Sequence, residues 1–107
     1  MGHEKVGDVL LAKGDLVEAQ AAYQQSLEII QRLAASDPLN AGWRRQLSVC
    51  LTKIAELYER QSDRAQALLF AQESLSIDER LAALDPTNAT WQNDVKVSRA
   101  LVERLRK

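Results

Sequence analysis

The feature that most restricts the fold of this chain is an internal repeat. Residues 19–43, AQAAYQQSLEIIQRLAASDPLNAGW, return without a gap as residues 67–91, ALLFAQESLSIDERLAALDPTNATW. Pro38 pairs with Pro86 and Trp43 with Trp91, so the period is 48 residues (86 − 38 and 91 − 43). Self-similarity at a fixed spacing of about 20–50 residues is typical of solenoids, in which each unit packs on its neighbour. The chain is therefore predicted to be a short array of repeats.

The composition and the spacing of apolar residues predict that every unit is helical. Helix formers abound, whereas proline and glycine number only 2 and 4. Apolar residues recur three and four positions apart, which places them on one face of each helix. Short loops make neighbouring helices antiparallel. We predict one all-α domain, an α-solenoid of antiparallel helix hairpins with five helices, over residues 1–12, 16–35, 40–60, 64–83 and 88–107.

Two helix starts carry the same capping pattern. Asp15 is followed three residues later by Glu18, and Asp63 is followed three residues later by Gln66. This spacing matches a capping box, in which the two residues satisfy free backbone N–H groups at a helix start. Gly14, just before the first of these boxes, is suited to the left-handed conformation that ends a helix. Ser and not Gly occupies the equivalent position in the second repeat.

The end of the second helix and the start of the third are less well determined. Pro38 disfavours helical geometry at the residue before it, so the second helix is predicted to end near Asp37. Either Asp37 or Asn40 has the side chain to cap the third helix, and the sequence does not choose between them.

Composition and charge exclude several classes of function. Charged residues make up 27% of the chain and nearly cancel to a net charge of −1, which argues against nucleic acid and anionic membranes as partners. The single cysteine cannot form an internal disulfide, so nothing indicates secretion. No apolar run approaches the roughly 18 residues of a membrane span, and no signal peptide is apparent. We expect a cytoplasmic protein.

Residues that could carry catalysis are too few for a site. His3 is the single histidine and has no second ligand at metal spacing, so neither a metal site nor a Ser–His–Asp set is predicted. Cys50 lies on an apolar stripe with Leu51 and Ile54, which predicts a buried thiol that packs as a small hydrophobic group. The glycines form no phosphate-binding loop. We therefore expect no enzyme activity, no cofactor and no metal. Trp43 and Trp91 occupy the same place in both repeats, which favours packing between helices over ligand binding.

An ordered set of small, aromatic and aliphatic residues appears in both repeats. The first copy contains Gly7-x-x-Leu10, Gly14, Ala19, Tyr23 and Ser26-Leu27; the second contains Ala55-x-x-Tyr58, Ser62, Ala67, Ala71 and Ser74-Leu75. This set resembles the tetratricopeptide repeat, whose usual length is about 34 residues. The period here is 48. The difference can be placed in both helices, each about two turns longer than usual, and two added turns nearly preserve which face is buried.

The resemblance implies an interaction scaffold that is not an enzyme. We expect a first repeat over residues 1–39 with a shortened start, a second over 40–87 and a terminal helix over 88–107. In similar proteins the first helix of each hairpin lines a concave groove that holds a peptide or a helix. We expect the chain to bind a protein partner in this way, as part of a longer repeat array in a bacterial-type multidomain protein.

The resemblance also predicts which residues face the groove. Members that grip a C-terminal carboxylate carry lysines and asparagines at the inner positions, whereas this chain carries mainly acidic residues there, so no such clamp is expected. An acidic groove would favour a partner rich in Lys or Arg, although nearby lysines and arginines can neutralise these charges. The predicted groove residues are Glu4, Asp8, Arg45, Val49, Thr52, Glu56 and Glu59.

Self-assembly is the alternative function. Solenoids need end units with polar outer faces, and an uncovered helix at either end would be an apolar edge. The last helix would pack on the first helix of another copy and give a homo-oligomer, through Val95, Val102 and Leu105 on one side and Val6 and Leu10 on the other. Against this alternative, the opposite side of the last helix carries several charged residues, as a capping helix would.

Overall fold

Four consecutive helices account for most of the described chain. The structure is a computed structural model that describes residues 16–107. Its helices are α1 (Leu16–Ser36), α2 (Ala41–Arg60), α3 (Arg64–Leu84) and α4 (Ala89–Arg106). The sequence predicted five helices, and the predicted first one, over residues 1–12, lies outside the described residues. The other four begin and end within one or two residues of their predicted bounds.

The two equivalent turns of the repeat start their helices in the same way. The side-chain oxygen of Asn40 accepts a hydrogen bond from the backbone N–H of Trp43 at 3.0 Å. Asn88 accepts from Trp91, again at 3.0 Å. Each asparagine thereby satisfies one of the free N–H groups at a helix start. The cap of α2 is thus Asn40, and Asp37 contributes its backbone carbonyl to the N–H of Asn40 instead.

The turn between α2 and α3 ends one helix and begins the next within three residues. Ser62 adopts a left-handed conformation (φ 64°). Its N–H donates to the carbonyl of Glu59, while the N–H of Asp63 donates to that of Tyr58. This is the Schellman arrangement that closes a helix end. Asp63 then accepts from the N–H of Gln66 at 3.2 Å, so the Asp63 half of the predicted capping box is present, while the N–H of Asp63 donates to Tyr58.

Neighbouring helices pack in sequence, α1 on α2, α2 on α3 and α3 on α4. Alanines at helix contacts allow close approach, because their side chains end at Cβ. Large aliphatic residues fill the space around them, and Tyr58 stacks on Phe70 with ring centroids 5.5 Å apart. The core between α1 and α2 comprises Ala19, Tyr23, Leu27, Cys50, Leu51, Ile54 and Leu57. The core that joins α2, α3 and α4 comprises Ala55, Ala67, Ala71, Leu101, Val102 and Leu105.

These burials confirm the predicted apolar stripes at most positions. Cys50 is fully buried, and its thiol lies 3.6 Å from the carbonyl oxygen of Tyr23. On α3 the stripe differs from the prediction, because Asp78 is buried whereas its neighbour Ile77 is only partly so. Trp43 and Trp91 are both half-buried at the starts of their helices.

The last helix corrects the surface that was expected to drive self-assembly. Val95, Val102 and Leu105 are 7%, 2% and 2% exposed, so all three are buried inside this chain and do not form the uncovered apolar stripe that was expected on the last helix. The prediction for them was wrong because the residues that pack α4 on α3 are the same ones that were taken to be uncovered. The partner residues of that prediction, Val6 and Leu10, lie outside the described residues.

Candidate interaction groove

A groove runs between α2 and α4 with α3 at its base, and we call it the α2–α4 groove. It contains a pocket of about 250 Å³. The middle turns of α2 and the first half of α4 form its walls, and a single side chain of α3 reaches it. The lining residues are Ser48, Val49, Thr52, Lys53 and Glu56 from α2, Asp78 from α3, and Asp94, Val97 and Ser98 from α4.

A buried carboxylate holds the base of the groove together. Asp78 is 4% exposed and accepts a short hydrogen bond from the hydroxyl of Ser48. The hydroxyls of Ser48 and Ser74 lie 2.8 Å apart, and that of Thr52 lies 2.7 Å from Ser74. A buried carboxylate is tolerated only where hydrogen bonds replace the water that it loses. The hydroxyl network therefore fixes α2 against α3 at the level of the pocket.

The surroundings of Asp78 alter its protonation. Loss of water around the carboxyl raises the pKa of Asp78 above its usual value. The hydrogen bond from Ser48 and the nearby hydroxyl of Ser98 act in the opposite direction, because they stabilise the charged form. The carboxylate of Asp94 raises the pKa of Asp78 further, while the guanidinium of Arg45 lowers it. The net direction is upward, so burial outweighs the hydrogen bonds.

An ion pair joins α2 to α4 at the end of the groove that lies near their N-termini. The guanidinium of Arg45 meets the carboxylate of Asp94 through two hydrogen bonds, of 2.7 Å and 3.1 Å. The hydrogen bond to Asp94 raises the pKa of Arg45. Two parallel hydrogen bonds give this pair a defined geometry. It limits how far α2 and α4 can separate at this end.

A second ion pair joins the same two helices near their C-termini. Arg104 meets Glu59 through two hydrogen bonds, of 2.7 Å and 3.1 Å. The hydrogen bond to Glu59 raises the pKa of Arg104. Glu59, predicted as a groove residue, therefore faces a cation of α4 instead of forming part of a separate acidic surface. The two ion pairs stand at opposite ends of the pocket and frame it.

The structure brings together part of the predicted set. Val49, Thr52 and Glu56 line the pocket, and Arg45 forms the ion pair at its end. Glu4 and Asp8 lie outside the described residues. Val97, which is 56% exposed on α4, lines the pocket too and adds an aliphatic surface to that of Val49.

The base of the groove was missed although the sequence contained a signal for it. Ala67, Ala71, Ser74 and Asp78 are spaced by four, three and four residues, which is one helical face. A carboxylate on an otherwise small and buried face indicates a hydrogen-bonded group. The partner of Arg45 had no such signal, because Asp94 lies 49 residues away on a helix that packs only in the folded chain.

Comparison with known proteins identifies the family. The sequence model described as Tetratricopeptide repeat matches residues 2–80, which is about three quarters of the 107 residues. The chain belongs to the tetratricopeptide repeat family. No curated protein sequence matches it. Domains of this family generally mediate protein–protein interactions and are typically scaffolds without enzyme activity.

Two other kinds of functional feature are absent from the part of this tetratricopeptide repeat chain that the structure describes. Among residues 16–107, no three His, Cys, Asp or Glu side chains come together as a metal site. Within the same residues, no helix has both the length and the apolar character needed to cross a membrane.

Proposed function

We propose that this chain is a non-enzymatic interaction module that holds a peptide or helix of a partner protein in the α2–α4 groove. The observation that carries the proposal is the pocket itself. It combines an aliphatic surface, Val49 and Val97, with polar groups from three helices. Binding sites of this kind pair apolar contact with a few placed polar groups that fix orientation.

The charge of the pocket supports a partner that presents Lys or Arg. Three carboxylates line it, those of Glu56, Asp78 and Asp94, against one ammonium group, that of Lys53. Arg45 pairs with Asp94 at the edge and neutralises it, which leaves the carboxyl groups of Glu56 and Asp78 against the ammonium group of Lys53. Complementary charge would steer and select a basic partner. The carboxyl groups of the pocket disfavour a partner anchored through its C-terminal carboxylate, because like charges repel.

The length of the helices supports a longer groove than the family usually has. α2 and α3 contain 20 and 21 residues, and the capping asparagines Asn40 and Asn88 are 48 residues apart (88 − 40). We infer that the chain is a variant in which both helices of the hairpin are lengthened. At about 1.5 Å per residue, an α2 of this length gives a wall of about 30 Å. Such a wall is long enough to contact about six turns of a bound helix.

Selection from a displayed peptide library tests this proposal. We expect peptides with a basic and an aliphatic residue to be enriched, and their affinity to be measurable by fluorescence polarisation. Val97→Lys should weaken binding at least tenfold, because it removes aliphatic contact and repels a basic partner. Leu69→Lys is the matched control, since Leu69 is similarly exposed (60% against 56%) but does not line the pocket. Equal effects of the two variants, or failure to select any peptide, would contradict the proposal.

A further inference from the structure

Away from the groove, the repeat produces two equivalent hollows between helices. The first, which we call the covered hollow, has a volume of about 680 Å³. One of its walls is α3, through Glu73, Ser76, Ile77 and Arg80, which are spaced as one helical face. Its α1 and α2 walls are Gln31, Ala34, Ala35, Pro38, Arg44 and Leu47.

The second, which we call the open hollow, lies one repeat later and has a volume of about 380 Å³. Six of its lining residues follow those six positions at 48 residues' distance: Glu79, Ala82, Ala83, Pro86, Gln92 and Val95. No helix of the described chain stands where α3 stands in the covered hollow. The open hollow therefore repeats the α1 and α2 walls of the covered hollow and lacks an equivalent of its α3 wall.

The helix face that would fit this surface is present on α1. Gln25, Glu28, Ile29 and Arg32 precede the α3 face by 48 residues each, with Ile and Arg retained. All four are exposed, and Ile29 is a large hydrophobic residue with 39% of its surface exposed. One chain thus carries an open hollow and, on α1, an exposed copy of the face that lines the covered hollow.

We propose that α1 of a second copy docks in the open hollow, so that chains associate head to tail. Ile29 of the docking helix takes the place that Ile77 takes in the covered hollow. Arg32 stands in the position of Arg80, and the open hollow offers Glu79 where the covered one has Gln31, which adds an opposite charge to the contact. Glu79 now bonds Arg99 at 3.2 Å, and both side chains are about half exposed, so exchange of that partner costs little.

The proposed contact joins two different faces, the α1 face of one chain and the open hollow of another, so a dimer still has one free copy of each. Each added chain leaves a free hollow at one end and a free α1 face at the other, so assembly continues or closes into a ring. This proposal does not rest on the function of the groove, because none of its residues lines the α2–α4 pocket.

The test is molar mass in solution over a concentration series, by light scattering after size exclusion. The wild-type mass should climb from 12.0 kDa past that of two chains. Ile29→Asp places a charge on the α1 face, and Ala83→Glu places one in the open hollow. Both residues are exposed, so each variant should fold and its mass should stay at 12.0 kDa. An equimolar mixture of the two should give a complex of two chains and no larger species, because each variant retains the face that the other lacks.

Matched controls keep the result specific. Val17→Asp on α1 and Ala100→Glu on α4 change exposed residues outside both faces and should associate like the wild type. A wild-type mass that stays at 12.0 kDa at millimolar concentration would overturn the proposal and leave the open hollow to another occupant, such as a further repeat of a longer chain. Association that survives both face variants, or a mixture that remains monomeric, would overturn it as well. Val97→Lys should leave the mass unchanged, which separates this result from any failure of groove binding.

Discussion

At the scale of single residues, Asp78 shows how the second repeat differs from the first. The equivalent position in the first repeat is Ile30, which is 1% exposed. Both positions are buried, yet one holds a hydrocarbon and the other a carboxylate bonded to Ser48. The carboxylate faces the α2–α4 groove. A chemical change at one equivalent position therefore gives the groove its polar base.

The raised pKa of Asp78 predicts a pH dependence of stability. A group that binds its proton more tightly in the folded chain stabilises the fold at low pH, and that contribution is lost as pH rises through the raised pKa. Asp78→Asn does not titrate, and its amide oxygen can still accept the hydrogen bond from Ser48. The free energy of unfolding of the variant minus that of the wild type should therefore increase from about pH 4 towards neutral pH.

Urea unfolding followed by circular dichroism at several pH values measures this difference. Parallel stability curves for wild type and variant would show that the surroundings of Asp78 do not perturb its proton binding. A difference that increased as the pH fell would reverse the predicted sign.

Ser62 adopts a backbone conformation that costs free energy. Its φ of 64° is unfavourable for a residue with a Cβ, and glycine occupies the equivalent position 14 in the first repeat. Ser62→Gly should raise the free energy of unfolding by about 0.5–1 kcal/mol, because relief of strain exceeds the entropy that glycine loses. Ser62→Ala is the control and should give no gain, since alanine keeps the Cβ. Thermal unfolding of both variants measures the effect, and equal midpoints would contradict this account.

At the scale of elements, the helix starts were partly predictable from the sequence. The sequence left Asp37 and Asn40 as alternatives, and the folded turn uses Asn40. The choice depends on the path of the backbone, because the side-chain oxygen must lie two or three residues before the N–H that donates to it, on a residue with extended geometry. Sequence spacing indicated the place of the turn but did not contain that path.

The two asparagine caps give a matched pair of substitutions. Asn40→Ala and Asn88→Ala should each lower the free energy of unfolding by about 1 kcal/mol, because each leaves a helix N–H without its partner. Asp37→Ala should cost less than either, since its side chain makes no such bond to the start of α2. Chemical denaturation of the three variants compares them directly. A larger loss for Asp37→Ala would show that the caps are assigned to the wrong residues.

Helix bounds and core stripes followed from local rules, whereas contacts between distant elements did not. Three-and-four spacing placed Tyr23, Leu51 and Ile54 in the core, since that spacing is a property of one helix. The same rule could not show that Val102 packs on α3 and forms no uncovered stripe. An apolar stripe has the same sequence pattern whether it is buried inside the chain or uncovered on a terminal helix. Only the packing of the helices distinguishes the two cases.

At the scale of the whole molecule, the 48-residue repeat explains both surfaces proposed for binding. Repetition places α2 and α4 in equivalent positions, which opens a groove between them, and it produces a second hollow beside the one that α3 covers. The sequence predicted the 48-residue repeat and, among its groove residues, three of the nine that line the pocket: Val49, Thr52 and Glu56. It did not predict that ion pairs, Arg45 with Asp94 and Glu59 with Arg104, frame the pocket, because both pairs join residues more than 40 positions apart.

The central claim is that a partner occupies the α2–α4 groove, and mapping of amide chemical shifts tests it most directly. A peptide obtained by selection would be titrated into the isotope-labelled chain. We predict that the largest shifts fall on residues 48–56 of α2 and 94–98 of α4, with little change at the exposed α1 face. Largest shifts at the open hollow or on α1, with the groove unchanged, would contradict the claim.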